Sequence, residues 1–199
     1  MAKASSYHHG DLKEALISAA ADLIAEHGQA NFSLRKVAQQ VGVSQTALYR
    51  HFSDKDELLA AVAERGFLEL SRLSHEAFDQ YDDVVERNIE VGMAYLNFAA
   101  DNPNTYRLMF DSSMADNERY TALADARRLA FKCPARNTLD LQKLRDPNHE
   151  QTQRQKQSAK IFSQAIIHGI ASLMIEGMIH SEGDRETVLR NMLEDTLFT

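Results

Sequence analysis

Apolar residues recur every three or four positions along almost the whole chain, the spacing that places them on one face of an α-helix. No stretch shows the strict alternation that is typical of a half-buried β-strand. The sequence therefore predicts an all-α fold behind a flexible arm over residues 1–10. The predicted helices cover 11–27, 34–41, a short segment from 45 that includes 48, then 54–80, 84–101, 103–110, 117–132, 151–178 and 184–198.

Small polar residues and glycines indicate where the early helices begin and end. Gly42 follows the last apolar position of the second helix, and a residue with φ > 0 ends a helix there at low cost. Ser33 and Ser44 stand as N-caps of the second and third helices. Ser53 is predicted to cap the fourth helix, with Asp56 as its capping-box partner. At 1.5 Å per residue the fourth helix is roughly 40 Å long.

The second half of the chain is less regular. The fifth helix is apolar on several sides, with Val91 and Phe98 on one face and Met93 and Leu96 on another, as is typical of a central helix. Residues 133–150 contain two prolines and are predicted to form a loop with at most one helical turn. The last two helices are apolar enough to pack against each other or against a second copy of the chain.

Composition and charge narrow the class of protein. Apolar residues make up 44% of the 199 positions, which is ordinary for a globular protein. No apolar run approaches the roughly 20 residues that cross a bilayer, and no signal peptide is apparent. Residues 1–56 carry equal numbers of acidic and basic side chains, so the remainder carries the whole net charge of −7. That distribution leaves the N-terminal part as the part able to approach nucleic acid.

The most informative pattern lies between residues 33 and 55. Two short helices flank a tight turn at Gly42, which predicts a helix-turn-helix. Its small shared core is predicted to consist of Leu34, Val37, Ala38 and Leu48. Such a motif is also found as a mere structural corner. The exposed residues favour DNA recognition, because they can contact base edges or phosphates: Gln45, Thr46, Tyr49, Arg50, His51 and Lys55. We expect Tyr49 and His51 to contact phosphates; Arg50 is alternatively a solvated side chain.

In these residues the chain resembles the tetracycline-repressor (TetR) family of one-component bacterial regulators. The resemblance implies an N-terminal three-helix helix-turn-helix domain over 1–55 and a larger C-terminal helical ligand-binding and dimerisation domain over 56–199. It implies a bacterial, cytoplasmic, nucleoid-associated protein that is not an enzyme. The matching residues are Gly28, Phe32, Ser33, Val37, Ala38, Val41 to Ser44, Leu48 to Phe52, Lys55, Leu58 and Leu59. Carried over by position, the DNA-contact candidates are Arg35, Gln45, Thr46, Tyr49, Arg50, His51 and Lys55.

A second resemblance covers parts of the remaining chain. Residues 7–13, residues 98–110 and the pair His168-Gly169 resemble the TetR subgroup with a WHG-type C-terminal domain. Ile167 stands where the subgroup has its tryptophan, and 132–150 matches no pattern of the subgroup.

The resemblance also implies partners. We expect double-stranded operator DNA, and a symmetric homodimer through 151–178 and 184–198, in which Ala165, Gly169 and Ser172 allow close approach and Met192, Leu193 and Leu197 supply apolar surface. We expect a small apolar or amphipathic effector against the fifth helix and the segment 106–110. The ligand-binding candidates are Met93, Phe98, Phe110, Phe131, Phe162 and His168.

Several single features admit simpler interpretations. The adjacent His8 and His9 lack the spacing of helical metal ligands, so an arm along DNA or plain disorder is favoured, and no metal or cofactor is predicted. His168 and the aromatic candidates are also ordinary core residues in most helical proteins. Cys133 follows Lys132, a basic neighbour that could lower its pKa. Glu176 and His180, four residues apart, are typical of a solvated pair.

Three classes of function remain to be distinguished. The first is a ligand-responsive DNA-binding regulator. The second is an all-α small-molecule-binding protein or enzyme with an incidental helix-turn-helix, but the sequence has no catalytic constellation of known spacing. The third is an architectural DNA-binding protein, which would be basic along its length. The large acidic, apolar remainder favours the first class.

Overall fold

The computed structural model describes residues 9–147, 152–179 and 184–198. Every regular element within these ranges is helical, as the hydrophobic spacing predicts. The α-helices are α1 (His9–His27), α2 (Leu34–Val41), α3 (Gln45–Tyr49), α4 (Lys55–Gln80), α5 (Val84–Asp101), α6 (Pro103–Met109), α7 (Thr121–Ala130), α8 (Lys132–Arg145), α9 (Gln153–Ile175) and α10 (Arg185–Phe198), with 3₁₀ turns at Gln29–Asn31 and Ser112–Met114. Helix α1 begins at His9, two residues before its predicted start.

The predicted caps of α2 and α3 are confirmed. The Ser33 side chain accepts a hydrogen bond from the backbone N–H of Lys36, and that of Ser44 accepts one from Ala47. Gly42 ends α2 in the left-handed region at φ 76°. A Cβ at Gly42 would meet nothing within 4 Å, so its backbone conformation and not lack of space explains the glycine.

The predicted capping box of α4 is displaced by one residue. The Asp54 carboxylate, and not Ser53, accepts a hydrogen bond from the backbone N–H of Glu57 at 2.9 Å. The Glu57 carboxylate in turn accepts from the backbone N–H and the hydroxyl of Ser53. Asp54 and Glu57 stand at the favoured N-cap and third helical positions, which explains the difference.

The prediction of a loop over 133–150 is wrong for most of its length. Residues Lys132–Arg145 form α8, and α7 is shorter than predicted, because Phe131 separates the two helices. Pro134 falls in the first turn of α8, where its missing N–H would have had no intrahelical partner. Pro147 lies beyond the C-terminal end, where a proline is common.

Contacts between Cα atoms divide the chain into two compact units. Unit 1 comprises 1–66 and 103–124, and unit 2 comprises 67–102 and 125–199. Helix α4 contributes its first part to unit 1 and the remainder to unit 2. The functional division at residue 55 remains a prediction.

Unit 1 contains α1, α2, α3, the first part of α4, and α6. Helix α6 packs against α1, and the Asn104 side chain donates a 2.9 Å hydrogen bond to the carbonyl oxygen of Ala25. Gly66 allows α6 to approach α4 closely, because a Cβ there would lie 2.6 Å from the Met109 sulfur and 3.2 Å from Cγ2 of Thr105. Helix α6 is therefore part of the same packed body as the helix-turn-helix.

Unit 2 is built around α5, as its all-round apolar pattern predicts. This helix packs against α8, α9 and α10 and buries residues on several sides. Gly92 is the point of closest approach to α10, because a Cβ there would lie 2.9 Å from Leu193. Arg190 of α10 forms ion pairs with Glu86 and Glu90 of α5.

Some predictions fall outside the described ranges. These concern the arm over 1–8, His180 and residues 148–150, as well as the side chains of His9 and Leu197. By length and composition alone, α9 would pass as a membrane span, although the sequence has no uninterrupted apolar run of that length. One such helix is weak evidence for a membrane.

Candidate DNA-binding surface and effector cavity

The helix-turn-helix of unit 1 is held by a small apolar core. Val37, Ala38 and Leu48 are fully or almost fully buried, and so is Phe52, which follows α3. Burial of one side of α3 leaves the opposite side to solvent. The inward positions of Val37, Ala38 and Leu48 are confirmed, whereas Leu34, at the start of α2, is only half-buried.

The solvent-facing side of α3 carries the predicted base-contact residues. Gln45, Thr46 and Arg50 are exposed, and 53% of Tyr49 is exposed despite its large apolar ring. Gln45, Thr46 and Arg50 form no side-chain hydrogen bond or ion pair within the part of the chain that the structure describes. Their donors and acceptors are therefore available to an external partner.

The remaining DNA-contact candidates border this surface. Arg35 is exposed in the first turn of α2, and His51 is half-buried after α3. Lys55 is the first residue of α4, and its ammonium lies 5.6 Å from the centre of the Phe32 ring. This cation–π contact orients the side chain, and Lys55 as a whole is half-exposed and stays accessible.

Asp54 next to Lys55 is paired with a residue that sequence reasoning missed. The Arg119 guanidinium lies 2.6 Å from the Asp54 carboxylate, and it also stacks on the Tyr120 ring at 5.0 Å. The pair neutralises an acidic charge beside a candidate phosphate contact. No local sequence signal relates these residues, because 65 positions separate them.

Unit 2 contains a cavity of about 270 Å³ between α5, α8, α9 and α10. This volume is close to the lower end of the roughly 300–1,000 Å³ that is typical of small-molecule sites, and far above that of one water molecule. Its apolar lining includes Val91, Tyr95, Leu141 and Ile166. The cavity therefore has room for a small effector only.

Asn137 lines this cavity and belongs to a largely buried polar network between α5 and α8. Asn137 is completely buried, and its amide oxygen accepts a 2.8 Å hydrogen bond from Nε of Arg87. The same guanidinium donates to Asp140 at 2.8 Å and stacks on the Phe78 ring at 4.3 Å. A charged group that is 13% exposed is thereby paired on three sides, which fixes α8 against α5.

The predicted ligand-binding residues occupy different places. Phe162 lines the cavity, and Phe131 lines a separate groove of unit 2. Met93 and Phe98 are buried in α5, and Phe110 belongs to unit 1. The cavity is also lined by residues of α8, such as Asn137 and Leu141, which were not among the predicted ligand-binding residues. They were missed because the sequence predicts a loop at 133–150.

His168 and Cys133 both lie in partly or largely buried positions. Burial lowers the pKa of His168, whose imidazole lies 3.4 Å from the Ser172 hydroxyl on the same helix. Burial raises the pKa of the Cys133 thiol, and this outweighs the opposite effect of Lys132. Lys132 therefore lowers the pKa of Cys133 as expected, but burial has the larger effect and keeps the thiol protonated at neutral pH.

Helix α9 presents a solvent-facing apolar surface. The exposed fractions of Ile161, Phe162 and Leu173 are 60%, 68% and 47%. A Cβ at Gly169 would meet nothing within 4 Å, so the glycine is not needed for packing within the chain. Leu193 differs from expectation: it packs inward on Gly92 and is 7% exposed, so it supplies no apolar surface to a partner.

Comparisons with known proteins agree with this geometry. The family model described as bacterial regulatory proteins of the tetR family matches residues 16–62, and that of the tetracyclin repressor-like C-terminal domain matches residues 89–196. An uncharacterized HTH-type transcriptional regulator of Haemophilus influenzae is 33% identical over 116 residues. That alignment covers 56% of this chain and only 55% of the relative.

Solved structures resemble the whole chain. A protein of unknown function from a Rhodococcus species has a TM-score of 0.77 at 26% identity, covering 98% of this chain and 97% of its own. The TetR family transcriptional regulator PfmR from Thermus thermophilus has a TM-score of 0.64 at 18% identity, covering 92% and 96%. The second likeness concerns the fold alone.

Proposed function

Because the chain belongs to the TetR family of bacterial transcriptional regulators, we propose that it is an effector-responsive repressor that binds a pseudo-palindromic operator as a homodimer. The observation that carries the proposal is the exposed polar face of α3 on a buried apolar core. A helix-turn-helix that served only as a corner would not need Gln45, Thr46, Tyr49 and Arg50 on one solvent-facing side.

In this proposal α3 lies in the major groove. Gln45, Thr46 and Arg50 face base edges, whereas Tyr49, His51, Arg35 and Lys55 contact phosphates or the groove wall. Base contacts select the sequence, and phosphate contacts fix the register of the protein. The Arg119–Asp54 pair supports this arrangement by removing a repulsive charge next to Lys55.

The homodimer forms through the exposed face of α9 in this proposal. Ile161 and Leu173 are exposed to solvent and are not covered by other helices of unit 2. Gly169 has no side chain, so a second helix can approach closely there. A symmetric dimer uses the same patch on both chains and presents two copies of α3. Recognition helices spaced by about 34–36 Å, or a multiple of it, then enter successive major grooves.

The effector occupies the cavity beside α5 and alters DNA affinity through linkage. The ligand needs only to prefer the form of the protein that does not bind operator. A typical coupling of 1–3 kcal/mol changes DNA affinity by roughly 5–150-fold, and operator weakens effector binding by the same factor. Helix α4 supplies residues to both units and is the continuous element through which such a shift can pass. The protein acts in the cytoplasm, on nucleoid DNA.

Selection of bound fragments from random duplex DNA tests this function. We expect the selected fragments to share two inverted half-sites, with one dimer bound per fragment at a stoichiometry measured by analytical ultracentrifugation. Fragments without a shared sequence, or bound by a single chain, would contradict the proposal. Titration at two salt concentrations separates sequence-specific binding from simple attraction to phosphates.

A further inference from the structure

A second concavity of unit 2, with a volume of about 720 Å³, is lined by seven lysine and arginine side chains and a single aspartate. We call it the basic groove; it runs along α7, α8 and the first half of α9. Such a concentration of positive charge is unexpected in a chain with a net charge of −7. Its positive potential attracts small anions and raises their local concentration.

The acidic side chains near the basic groove do not neutralise it. Asp140 is 2.8 Å from Arg87 and 3.7 Å from Arg136, so its charge is shared between two guanidinium groups. Arg128 pairs with Asp125. The four lysines that line the groove form no ion pair within the described part of the chain: Lys132, Lys143, Lys156 and Lys160.

The groove also offers apolar surface and a helix terminus. Phe131, Pro134 and Leu139 contribute to its lining. Phe131 is the N-cap of α8 but provides no side-chain hydrogen bond to the first turn, so the partial positive charge of that terminus is not offset by a capping side chain. Positive charge and apolar side chains together suit a phosphorylated head that is joined to an apolar group.

The basic groove adjoins the apolar cavity. Pro134 of α8 and Ser163 of α9 line both, so the two concavities meet at these residues. Lysine binds phosphate as a point charge without fixed geometry, so lysines from two different helices can contact the same phosphorylated head.

We propose that the effector is one amphipathic molecule with a short apolar chain in the cavity and a head of at least two phosphate groups in the basic groove. The inference rests on the proposed effector site and adds the chemical class of its occupant. Lys132, Lys156 and Lys160 hold the phosphates, and Phe162 and Ile166 contact the apolar chain.

Calorimetric titration of the full chain with two probes tests the inference. Octanoyl-coenzyme A carries an apolar chain and a nucleotide with several phosphates, and octanoyl-pantetheine keeps the chain and thioester but lacks the nucleotide. We expect octanoyl-coenzyme A to bind at least about tenfold more tightly, because two or more charge-assisted contacts are added. The preference falls as the salt concentration rises.

Variants assign that preference to the groove. Lys156→Gln combined with Lys160→Gln is expected to bring the two affinities within about twofold of each other, and Lys132→Gln on α8 is a second, independent variant if the first does not fold. Arg154→Gln on the same helix lines a different concavity and serves as the control. It should keep the full preference.

Binding of duplex DNA, measured on the same samples, separates the two proposals. Equal affinity for both probes in the unaltered protein, or no binding of either probe, overturns the inference even if DNA binding is intact. The same is true if the lysine variant loses affinity for duplex DNA and not for octanoyl-coenzyme A, because the groove would then belong to a nucleic-acid surface. Loss of sequence-specific DNA binding in the unaltered protein contradicts the proposed function instead.

Discussion

The guanidinium of Arg119 lies 2.6 Å from the carboxylate of Asp54, the N-cap of α4 and the residue before Lys55. This contact joins two segments far apart in the chain at the edge of the proposed DNA-binding surface. Asp54 thus accepts hydrogen bonds from both a backbone N–H and a guanidinium, and its charge is offset where phosphates would approach.

Replacement of Arg119 by alanine is expected to weaken operator binding several-fold. The exposed pair itself contributes at most about 1 kcal/mol to stability, but its loss leaves an unbalanced carboxylate beside Lys55. Fluorescence anisotropy with labelled operator measures the effect. Asp54→Asn in the same chain should restore affinity, since asparagine also caps helices. Arg72→Ala, which breaks an exposed pair on the part of α4 in unit 2, is the control.

Truncation of the base-contact side chains is expected to relax specificity. Gln45→Ala and Arg50→Ala should each cost roughly 1–3 kcal/mol with the preferred operator and much less with unrelated DNA. Competition between the preferred operator and unrelated DNA gives the ratio of the two affinities, which measures specificity. If both variants keep the ratio of the unaltered protein, α3 does not read the bases in the way proposed.

Lys55→Ala is expected to weaken binding to all duplex sequences alike. Its ammonium contacts a phosphate in this proposal, so the slope of log affinity against log salt concentration should fall by about one unit. Titration at several salt concentrations provides the slope. Arg107→Gln in α6, also exposed and basic, should leave the slope unchanged.

Charged residues on the exposed face of α9 are expected to dissociate the dimer. Burial of a large apolar side chain contributes about 1.5–3 kcal/mol, so Ile161→Glu or Leu173→Glu should raise the dimer dissociation constant at least about tenfold. Sedimentation equilibrium measures it. Leu144→Glu on α8, where 58% of the leucine is exposed, is a matched control that should leave the dimer intact. If Ile161→Glu and Leu173→Glu have the same dimer dissociation constant as Leu144→Glu, the interface lies elsewhere.

The burial of His168 predicts a pH dependence of stability. Its pKa lies below the ordinary value of 6.5 in the folded chain, so the unfolded chain binds the proton more readily. Well above the ordinary pKa the imidazole is neutral in both the folded and the unfolded chain, and burial of the neutral ring costs no stability. As the pH falls below the ordinary pKa, the unfolded chain takes up the proton first, so the free energy of unfolding decreases. Chemical denaturation between about pH 7.5 and 5 should show a steeper loss in the unaltered protein than in His168→Gln. Parallel curves would show that His168 does not titrate as its burial requires.

Local interactions explain the parts of the fold that the sequence predicts well. The caps at Ser33 and Ser44, the glycine end of α2 and the central position of α5 depend on residues within one or two helical turns. Such features are visible as spacing and residue type. The same holds for the inward positions of the helix-turn-helix. The polar residues that α3 exposes follow from them, because they lie on the opposite side of the same helix.

Local patterns did not predict the structure correctly where the neighbouring residues were compatible with two different conformations or environments. Two prolines suggested a loop over 133–150, but Pro134 occupies a first-turn position that tolerates it, and the packing of Asn137 against Arg87 stabilises α8. The pKa of Cys133 followed its burial and not its sequence neighbour Lys132. In each case a contact distant in sequence outweighed the neighbouring residue.

The sequence by itself determined the helical class, the helix-turn-helix and its exposed polar set, because these depend on periodicity and capping along a continuous stretch. Only the tertiary structure decided which residues surround the cavity, that Leu193 points inward, that Arg119 meets Asp54, and that lysines of two helices share one groove. Those relationships join residues tens of positions apart. Their energies depend on burial and on distance in space, neither of which a one-dimensional pattern specifies.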